Sequence, residues 1–403
     1  MFRAVGRGLT ASIEHAVRRL RSRPVPRGYE ALRSKLADPA AVTVWGFLNS
    51  EIGLGSSARG LVSAVESARG GVQRFAIPLA GRDNVPFGSS AVVRKTRRNI
   101  IVVNPPELIG EPFAFLNRYW AGSHRIAYWA WELDEVPDQW RGAFDLVDEV
   151  WSCSTASAAS LRRATEKPVH VLPHVVEDWP HERKDTARAR LSLPRDGFVF
   201  LFAFDFHSGF ARKNPLGLIE AFIRAFGTGP AGPHLVLKFH SASGFPAEEA
   251  RLRQAAARCG RIRLVAEVYT PGEMRALFDA ADGFVSLHRA EGFGLNIAEA
   301  MMAARPVICT GHSGNLDFTR PDNALLVDAS LRAIEPGEYV GSQGRLWAEP
   351  DLDAAAEAMR RLVGDPDLAR SLGTRGREHV LRHLSKEEIG ARAQRLLAAS
   401  EQA

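Results

Sequence analysis

Short, continuous apolar runs alternate with stretches of helical character from about residue 40 onward. Continuous apolar runs, as opposed to alternating ones, predict strands that are buried on both faces of a parallel sheet. A strand followed by a helix, repeated many times, is typical of doubly wound α/β folds. In the first half of the chain the predicted strands are 42–47, 72–77, 99–104, 124–131, 149–154 and 169–174.

A polar segment at 177–196 interrupts this pattern and is predicted to be a linker with a short helix. A second series of strands and helices follows it. The predicted strands there are 198–205, 234–240, 262–267, 283–288, 306–311 and 324–328, and the clearest helices are 214–226, 247–258 and 271–281. The chain is therefore predicted to form two Rossmann-like doubly wound domains that face a central cleft, in which ligands bind at the carboxyl ends of the strands.

The boundaries of the domains and of the terminal segments follow from these two series of strands. The N-terminal domain is predicted to span 40–176 and the C-terminal domain 197–380, with a basic segment at 1–39 before them. Residues 351–400 are rich in Ala, Leu and Arg and predict helices. We expect the last stretch, 381–403, to form a C-terminal helix that packs back on the N-terminal domain.

Composition narrows the class of protein. With 403 residues, 45% of them hydrophobic, the chain is long enough for two buried cores. Cys153, Cys259 and Cys309 form no CxxC pair, which excludes a cysteine metal site and fits a reducing compartment. The sequence contains no run of about 20 apolar residues and no apolar core of a secretory signal, so we expect a cytoplasmic protein.

The formal net charge of +6 indicates an anionic partner. Residues 1–27 contain seven arginines and one glutamate, interleaved with apolar residues near the helical period. This pattern is typical of a basic amphipathic segment that lies on an anionic membrane surface. A solvated tail is an equally good interpretation of the same residues.

The segment 288–311 contains the strongest chemical pattern. A predicted strand ends near His288, a loop with Gly292 and Gly294 follows, and a helix begins around 293–295. Free N–H groups and the dipole at a helix start attract phosphate, and glycines let a ligand approach the backbone. Carboxylates beside such a site suit sugar hydroxyls, so Glu291 suits a transferred sugar and Glu299, eight residues later, a ribose. The alternative is an N-terminal acid that favours the helix dipole and a second acid on a solvated face.

Residues 283–318 resemble the Glu-x7-Glu signature of the retaining glycosyltransferases of family 4, which have the GT-B fold and resemble this chain from about 42 to 383. The resemblance implies that Glu291 contacts the donor sugar and Glu299 the nucleotide ribose. It also implies that the backbone of four consecutive residues holds the diphosphate: Phe293, Gly294, Leu295 and Asn296. The loop 310–318 is expected to line the same pocket.

A second pattern lies at 204–222, where a strand leads into a loop with adjacent cations before a helix that starts near Pro215. On residue type alone, Arg212 and Lys213 are surface cations or a diphosphate clamp. The resemblance favours the clamp, since family 4 enzymes place an Arg and a Lys on this loop, and Lys213 matches the family lysine. The family arginine is absent from its usual place. We expect Arg212 to supply that charge and Ser208 to donate a hydrogen bond to phosphate.

The segment 47–61 contains Gly53 and Gly55, which are predicted to form a loop, and Ser56 and Ser57, which are predicted to cap the next helix. An NAD-binding protein would have GxGxxG here and an acid after the next strand, and this sequence has neither. By resemblance, the loop faces the diphosphate and the acceptor across the cleft.

Several further residues are candidates for substrate contacts. Glu132 follows a strand in a segment rich in aromatic residues, a combination that suits carbohydrate, and Asn104 stands where many family members have a histidine near the sugar. Both are predicted on the acceptor side. His288 is predicted to bind the donor or to be structural, and Lys238, at the end of a buried strand, is predicted to point at the nucleotide.

Together these observations predict a metal-independent retaining glycosyltransferase that uses a nucleotide sugar and a cell-envelope or lipid-linked glycan acceptor. No metal ion or other cofactor is expected, because cations and a helix start supply the positive charge. Four alternatives remain: a nucleotide-sugar epimerase or hydrolase of the same fold, an NAD-dependent oxidoreductase, an inactive sugar-binding protein, and a nucleic-acid-binding protein. The last lacks its usual signature, basic residues interleaved with aromatic ones, so nucleic acid is not the expected partner.

Overall fold

The computed structural model describes residues 32–36, 41–50, 52–79, 85–110, 116, 119–342 and 344–400. The basic segment 1–27 lies outside these ranges, so both interpretations of it stay open. The described residues form two α/β domains in sequence, followed by a group of helices at the C-terminal end.

The N-terminal domain contains a parallel six-stranded sheet. The strands of the whole domain, eight in the described residues, are β1 (Leu32–Leu36), β2 (Val42–Gly46), β3 (Gln73–Ala76), β4 (Val93–Lys95), β5 (Arg98–Val102), β6 (His124–Trp129), β7 (Glu149–Ser152) and β8 (Val169–Val171). The sheet order is β3-β2-β5-β6-β7-β8, and β1 and β4 form a separate parallel pair. Its helices are α1 (Gly53–Arg69), α2 (Pro105–Ile109), α3 (Arg141–Phe144) and α4 (Thr155–Arg162).

A short helix, α5 (Lys184–Arg190), lies in the predicted linker and leads to a second parallel six-stranded sheet. The strands of that sheet are β9 (Val199–Asp205), β10 (His234–His240), β11 (Ile262–Val265), β12 (Gly283–Ser286), β13 (Val307–Thr310) and β14 (Leu325–Val327), in the order β11-β10-β9-β12-β13-β14. The helices between them are α6 (Phe210–Lys213), α7 (Pro215–Phe226), α8 (Pro246–Ala256), α9 (Pro271–Ala280) and α10 (Leu295–Met302).

An antiparallel ribbon and three helices complete the described chain. The ribbon pairs β15 (Ala329–Ala333) with β16 (Leu346–Pro350). The helices are α11 (Leu352–Gly364), α12 (Pro366–His383) and α13 (Lys386–Ala399).

The prediction of two parallel-sheet domains is confirmed, and each of the twelve predicted strands corresponds to a strand of the two six-stranded sheets. The four central strands of the C-terminal sheet, β10, β9, β12 and β13, are buried almost throughout, as the continuous apolar runs indicated, whereas the edge strands β11 and β14 are mostly half-buried. In β9, six of seven residues are buried, so neither face meets water. The apolar pattern missed the β1–β4 pair and the ribbon.

The start of α1 differs from the prediction. Gly53 and Gly55 lie in the first turn of the helix and not in a preceding loop, and its N-cap is Ile52, with no side-chain cap. Ser57 donates instead to the Gly53 carbonyl at 2.8 Å. Gly55 lies directly against the Ser50 carbonyl with no space for a Cβ, so this glycine allows the helix to start close to the end of β2.

The C-terminal helix α13 crosses from the second domain to the first and packs along α1. Gly390 lies against the Ala64 carbonyl with no space for a side chain, which lets the two helices approach closely. At its end, Ser400 donates to the Glu149 carboxylate at 3.0 Å. A single cluster of buried apolar side chains extends from Val42 through the C-terminal sheet to Leu397 and so joins the two domains.

None of the described helices is both long and apolar enough to cross a membrane.

Candidate active site at the domain interface

Lys213 and Glu291 form an ion pair where two neighbouring strands of the C-terminal sheet end. Lys213 ends α6, after β9, and Glu291 lies in the loop after β12. The Lys213 Nζ donates to Glu291 Oε1, and their side chains are only 15% and 9% exposed. Asn214 fixes this arrangement, because it caps α7 by accepting from Gly217 N and donates to the Leu287 carbonyl at 2.9 Å.

The loop that carries Glu291 is held by its backbone. Ser313 Oγ donates to the Glu291 carbonyl at 2.6 Å and accepts from the Glu291 N–H at 2.7 Å. Gly314 N also donates to this carbonyl, and Gly314 packs directly on Gly292 with no space for a Cβ. The segment 310–318, expected to line the pocket, therefore supports the Glu291 loop.

Glu291 is ionised across the physiological pH range. Burial alone would raise the pKa of its carboxyl, but the charges of Lys213 and Arg212 outweigh burial and lower the pKa to about 2. A carboxylate in this state accepts hydrogen bonds and does not act as an acid at neutral pH.

Helix α10 begins four residues after Glu291. Gly294, its N-cap, has a φ of 92°, and a Cβ there would lie 3.0 Å from Ile297, so glycine suits this position on both counts. Leu295 and Asn296 follow as the first helical residues, and Asn296 donates its side-chain amide to the Ala203 carbonyl at 2.8 Å. The start of α10 is thereby tied to β9, beside the Lys213 loop. Glu299 lies in the same helix and is half-buried.

Arg212 is buried and faces several acceptors at once. Its guanidinium donates to the Ala290 carbonyl at 2.7 Å and to the Ser208 carbonyl at 2.8 Å. It also lies 3.3 Å from the Glu291 carboxylate and 3.5 Å from that of Glu132. The sequence predicted that Lys213, matching the family lysine, and Arg212, replacing the missing family arginine, both contact a diphosphate. The structure distinguishes them, because Arg212 bridges acids from both domains whereas Lys213, among the described residues, forms an ion pair only with Glu291.

The ribbon that the sequence pattern missed reaches the same site. Tyr339, between β15 and β16, donates its hydroxyl to Glu132 Oε2 at 2.8 Å, and its ring lies 5.6 Å from the Arg212 guanidinium and 5.9 Å from the Trp131 ring. Burial, together with the Glu132 charge, raises the pKa of the Tyr339 hydroxyl, so it remains a donor. No motif marked Tyr339 in the sequence, since its partner is 207 residues away.

The two domains meet directly at the Glu291 loop. A Cβ on Gly292 would lie 3.5 Å from Ala130, and the Cys153 thiol donates to the Gly292 carbonyl at 3.4 Å. Asn104, predicted on the acceptor side, accepts from Ala130 N at 3.3 Å and so braces the strand end that touches Gly292. Phe293 packs on His174 of the N-terminal domain at 4.9 Å.

His174 was not singled out in the sequence. Its ring contacts the Tyr128 hydroxyl at 2.9 Å and Ser57 Oγ at 3.4 Å, so it connects α1 with Phe293. Burial lowers the pKa of His174 to about 3, and the imidazole is therefore neutral. Through this chain of contacts the α1 start, with Gly53 and Gly55, faces the Glu291 loop across the domain interface.

Two further residues that the sequence predicted to bind the nucleotide sugar are buried in the C-terminal domain. The ring nitrogens of His288 contact Ser286 Oγ at 3.0 Å and Asn315 Oδ1 at 3.1 Å, which fits the structural alternative for this residue. Lys238, at the end of β10, donates to the Phe239 carbonyl at 3.1 Å and lies over the Tyr269 ring. Burial lowers the pKa of Lys238 to about 8.

Taken together, the site places one lysine, a carboxylate that is ionised at neutral pH and a helix N-terminus around the carboxyl ends of β9 and β12. Such an arrangement suits an anionic group next to a polyhydroxyl one. Within the described ranges, no group of three or more His, Cys, Asp or Glu side chains is placed to hold a metal ion.

Comparison with solved structures defines the fold. A sucrose-phosphate synthase from Thermosynechococcus elongatus superposes with a TM-score of 0.64 at 18% identity, over 90% of this chain and 99% of the other. The Anabaena protein HepE in complex with UDP and glucose also gives 0.64, at 14% identity, over 89% of this chain and 99% of the other. The chain therefore has the GT-B fold, as the sequence predicted.

Comparison of sequences identifies the second domain more closely. Residues 198–365 match the family described as Glycosyl transferases group 1. A trehalose synthase from Rubrobacter xylanophilus is 30% identical over 108 residues, which are 27% of this chain. The match spans about a fifth, 21%, of that relative's length.

Proposed function

We propose that this protein transfers a sugar from a nucleoside-diphosphate sugar to a hydroxyl acceptor with retention at the anomeric carbon. The observation that carries the proposal is the convergence of Lys213, Glu291 and the N-terminus of α10 in a domain that matches the glycosyltransferase family. It combines a cation and free N–H groups for a diphosphate with an ionised carboxylate for sugar hydroxyls.

We propose that a donor binds by replacing some of the described contacts. Lys213 is engaged by Glu291, and a diphosphate that binds at the α10 start offers Lys213 a second, more highly charged partner. Glu291 then exchanges part of its ion pair for sugar hydroxyls. We assign the ribose to Glu299 and the nucleotide side of the pocket to Lys238, in keeping with the family resemblance.

Arg212 and Ser208 take other roles in this proposal than direct contact with phosphate. Arg212 already interacts with two carboxylates and two carbonyls, so we assign it to positioning Glu291 and Glu132 with respect to each other. Ser208 contributes its carbonyl to Arg212.

We propose front-face attack without a metal ion. The acceptor hydroxyl approaches from the side of the leaving group, its oxygen bonds to the anomeric carbon as the bond to the diphosphate breaks, and a diphosphate oxygen takes the proton. Lys213 and the α10 N–H groups offset the charge that develops on the leaving group. Glu291 is too strongly tied to Lys213 and Arg212 to serve as a free nucleophile.

On the acceptor side we assign Glu132 and Asn104, which lie at the ends of β6 and β5 near the domain contact. The proposed acceptor is a cell-envelope or lipid-linked glycan. The basic segment 1–27 would hold the enzyme on the inner face of the cell membrane, close to such an acceptor.

A thermal-shift panel with UDP, GDP, ADP and TDP tests donor binding. UDP is the first candidate, because the similar Anabaena structure contains UDP. A nucleotide at a hundred times its dissociation constant stabilises the folded protein by about 2.7 kcal/mol, which shifts the melting temperature by several degrees. Lys213→Ala should reduce the shift, whereas Lys184→Ala, on α5, should leave it unchanged. A chain that none of the four nucleotides stabilises would contradict the proposal.

A further inference from the structure

Two adjoining cavities lie on the C-terminal domain, away from the Lys213–Glu291 pair, and the larger one extends to the N-terminal domain. Their volumes are about 290 and 210 Å³, and both are lined by Arg320, His379 and His383. We refer to the two together as the interdomain cavity. Neither Lys213 nor Glu291 lines it; Val171 of β8 and Phe293, two residues after Glu291, line its larger part.

The walls of the larger cavity come from three parts of the chain. Thr155 and Pro173 belong to the N-terminal domain, Phe293 and Phe318 to the C-terminal domain, and Arg392 to α13. The volume is at the lower end of the range of roughly 300–1,000 Å³ that small-molecule sites occupy. It suits a compact ligand that both domains contact.

The lining is predominantly basic. The larger cavity contains Arg320, Arg392 and the two histidines, and its one acid, Asp317, already accepts from the Thr155 N–H at 2.7 Å. The smaller cavity adds Arg375 and Arg382, together with two acids, Asp322 and Glu378.

Two of these arginines are available to a ligand. Among the described residues, the guanidinium groups of Arg320 and Arg382 have no hydrogen-bond or ion-pair partner, whereas that of Arg392 pairs with Glu388 at 2.7 Å. Free guanidinium groups that line a cavity are well suited to bidentate recognition of phosphate.

The histidines add neutral donors. His379 and His383 lie one turn apart on α12 with ring centroids 4.5 Å from each other. Burial lowers the pKa of His379 to about 4, and the charges of Arg320 and Arg382 act in the same direction. The imidazoles are therefore neutral at pH 7, and each offers one N–H.

We propose that the interdomain cavity is a second ligand site, separate from the sugar-transfer site, that binds a phosphate monoester through Arg320, Arg382 and the His379–His383 pair. All four side chains line the smaller cavity, whose walls come from the C-terminal domain and α12. The phosphate group can come from a free metabolite or from a lipid headgroup. This inference does not depend on the proposed sugar transfer.

Calorimetric titration of the 403-residue protein tests the site, with inorganic phosphate and glycerol 3-phosphate as free probes and phosphatidic acid vesicles as the lipid probe. Arg320→Gln and Arg382→Gln each remove one guanidinium. The matched control is Arg370→Gln, which removes the same charge from an exposed position on α12 that pairs with Asp367 outside the cavity. Lys213→Ala shows whether any of the phosphate binds at the sugar-transfer site instead.

We expect a free probe to bind the wild type and Arg370→Gln equally and to raise their melting temperatures. Arg320→Gln should weaken binding at least tenfold, because it removes a charge-assisted contact, and Lys213→Ala should leave binding unchanged. Binding of the vesicles alone, with the same dependence on Arg320, supports a lipid headgroup as the source. Equal binding by Arg320→Gln and Arg370→Gln, loss of binding in Lys213→Ala alone, or no binding of any probe overturns the inference. Phosphate binding that depends on Arg320, in a protein that binds no nucleotide, would contradict the proposed sugar transfer and leave this site standing.

Discussion

Replacing Lys213 by alanine should lower both the rate of sugar transfer and the stability of the protein. The change removes the positive charge next to the proposed leaving group, and the lost charge-assisted contact raises the barrier by about 3 kcal/mol, or more than a hundredfold in turnover. The same change leaves the Glu291 carboxylate, 9% exposed, with Arg212 at 3.3 Å as its remaining partner. We expect a loss of about 2 kcal/mol in the free energy of unfolding, below the 3–5 kcal/mol typical of a buried pair that loses one member, because Arg212 remains.

A double variant distinguishes the two effects. In Lys213→Ala/Glu291→Gln the carboxylate that lost its partner is neutral, so stability should recover by most of the lost amount while turnover stays low. Turnover is measured as nucleotide release from the donor, and stability by urea unfolding of the same preparations. A folded Lys213→Ala protein with turnover within threefold of the wild type would refute the reasoning. Recovery of turnover in the double variant would show that Lys213 acts only by neutralising Glu291.

Four further outcomes are expected. Activity should survive EDTA; loss with EDTA and recovery with magnesium or manganese would contradict metal-independent transfer. A truncated protein that begins at residue 28 should no longer sediment with anionic liposomes, because each arginine near the membrane surface contributes about 1 kcal/mol to binding. Full sedimentation of the truncated protein would exclude membrane binding through 1–27. The pKa of Glu291 is about 2 in the folded protein and about 4.5 in the unfolded chain, so its ionisation contributes stability above pH 4.5 that disappears as the pH falls towards 2. In urea unfolding, the difference in unfolding free energy between the wild type and Glu291→Gln should therefore shrink by about 3 kcal/mol over that interval. A difference that stays constant would argue against the lowered pKa. Tyr339→Phe should lower the melting temperature, since Glu132 loses a buried donor worth about 1–3 kcal/mol, and an unchanged value would indicate that the ribbon contact contributes nothing.

The sequence predicted the two sheets well because burial on both faces imposes continuous apolar runs. The ribbon escaped the same reasoning, since four of the five residues of β15 are exposed and leave no apolar pattern. Ser56 and Ser57 suggested a cap, but Gly55 allows α1 to begin before them, close against Ser50.

For the site, the sequence predicted which strand ends carry the candidate residues. It did not predict which other side chains those residues contact. Lys213 and Glu291 follow neighbouring parallel strands, so their proximity follows from topology. The contacts of Arg212 with Glu132 and of Tyr339 with Glu132 depend on how the two domains dock, and no local pattern encodes that arrangement. His174 was hidden for the same reason, since its contact with Phe293 crosses the domain interface.

The stereochemistry of the product tests the central proposal most directly. The donor that the nucleotide panel identifies is supplied with an acceptor, the anomeric proton of the product is read by NMR, and the donor-treated enzyme is weighed intact by mass spectrometry. Front-face transfer oriented by Glu291 predicts a product with the anomeric configuration of the donor and no covalent sugar on the protein, in both the wild type and the slower Glu291→Gln. An inverted product, or a stable glycosyl adduct on a carboxylate, would contradict it.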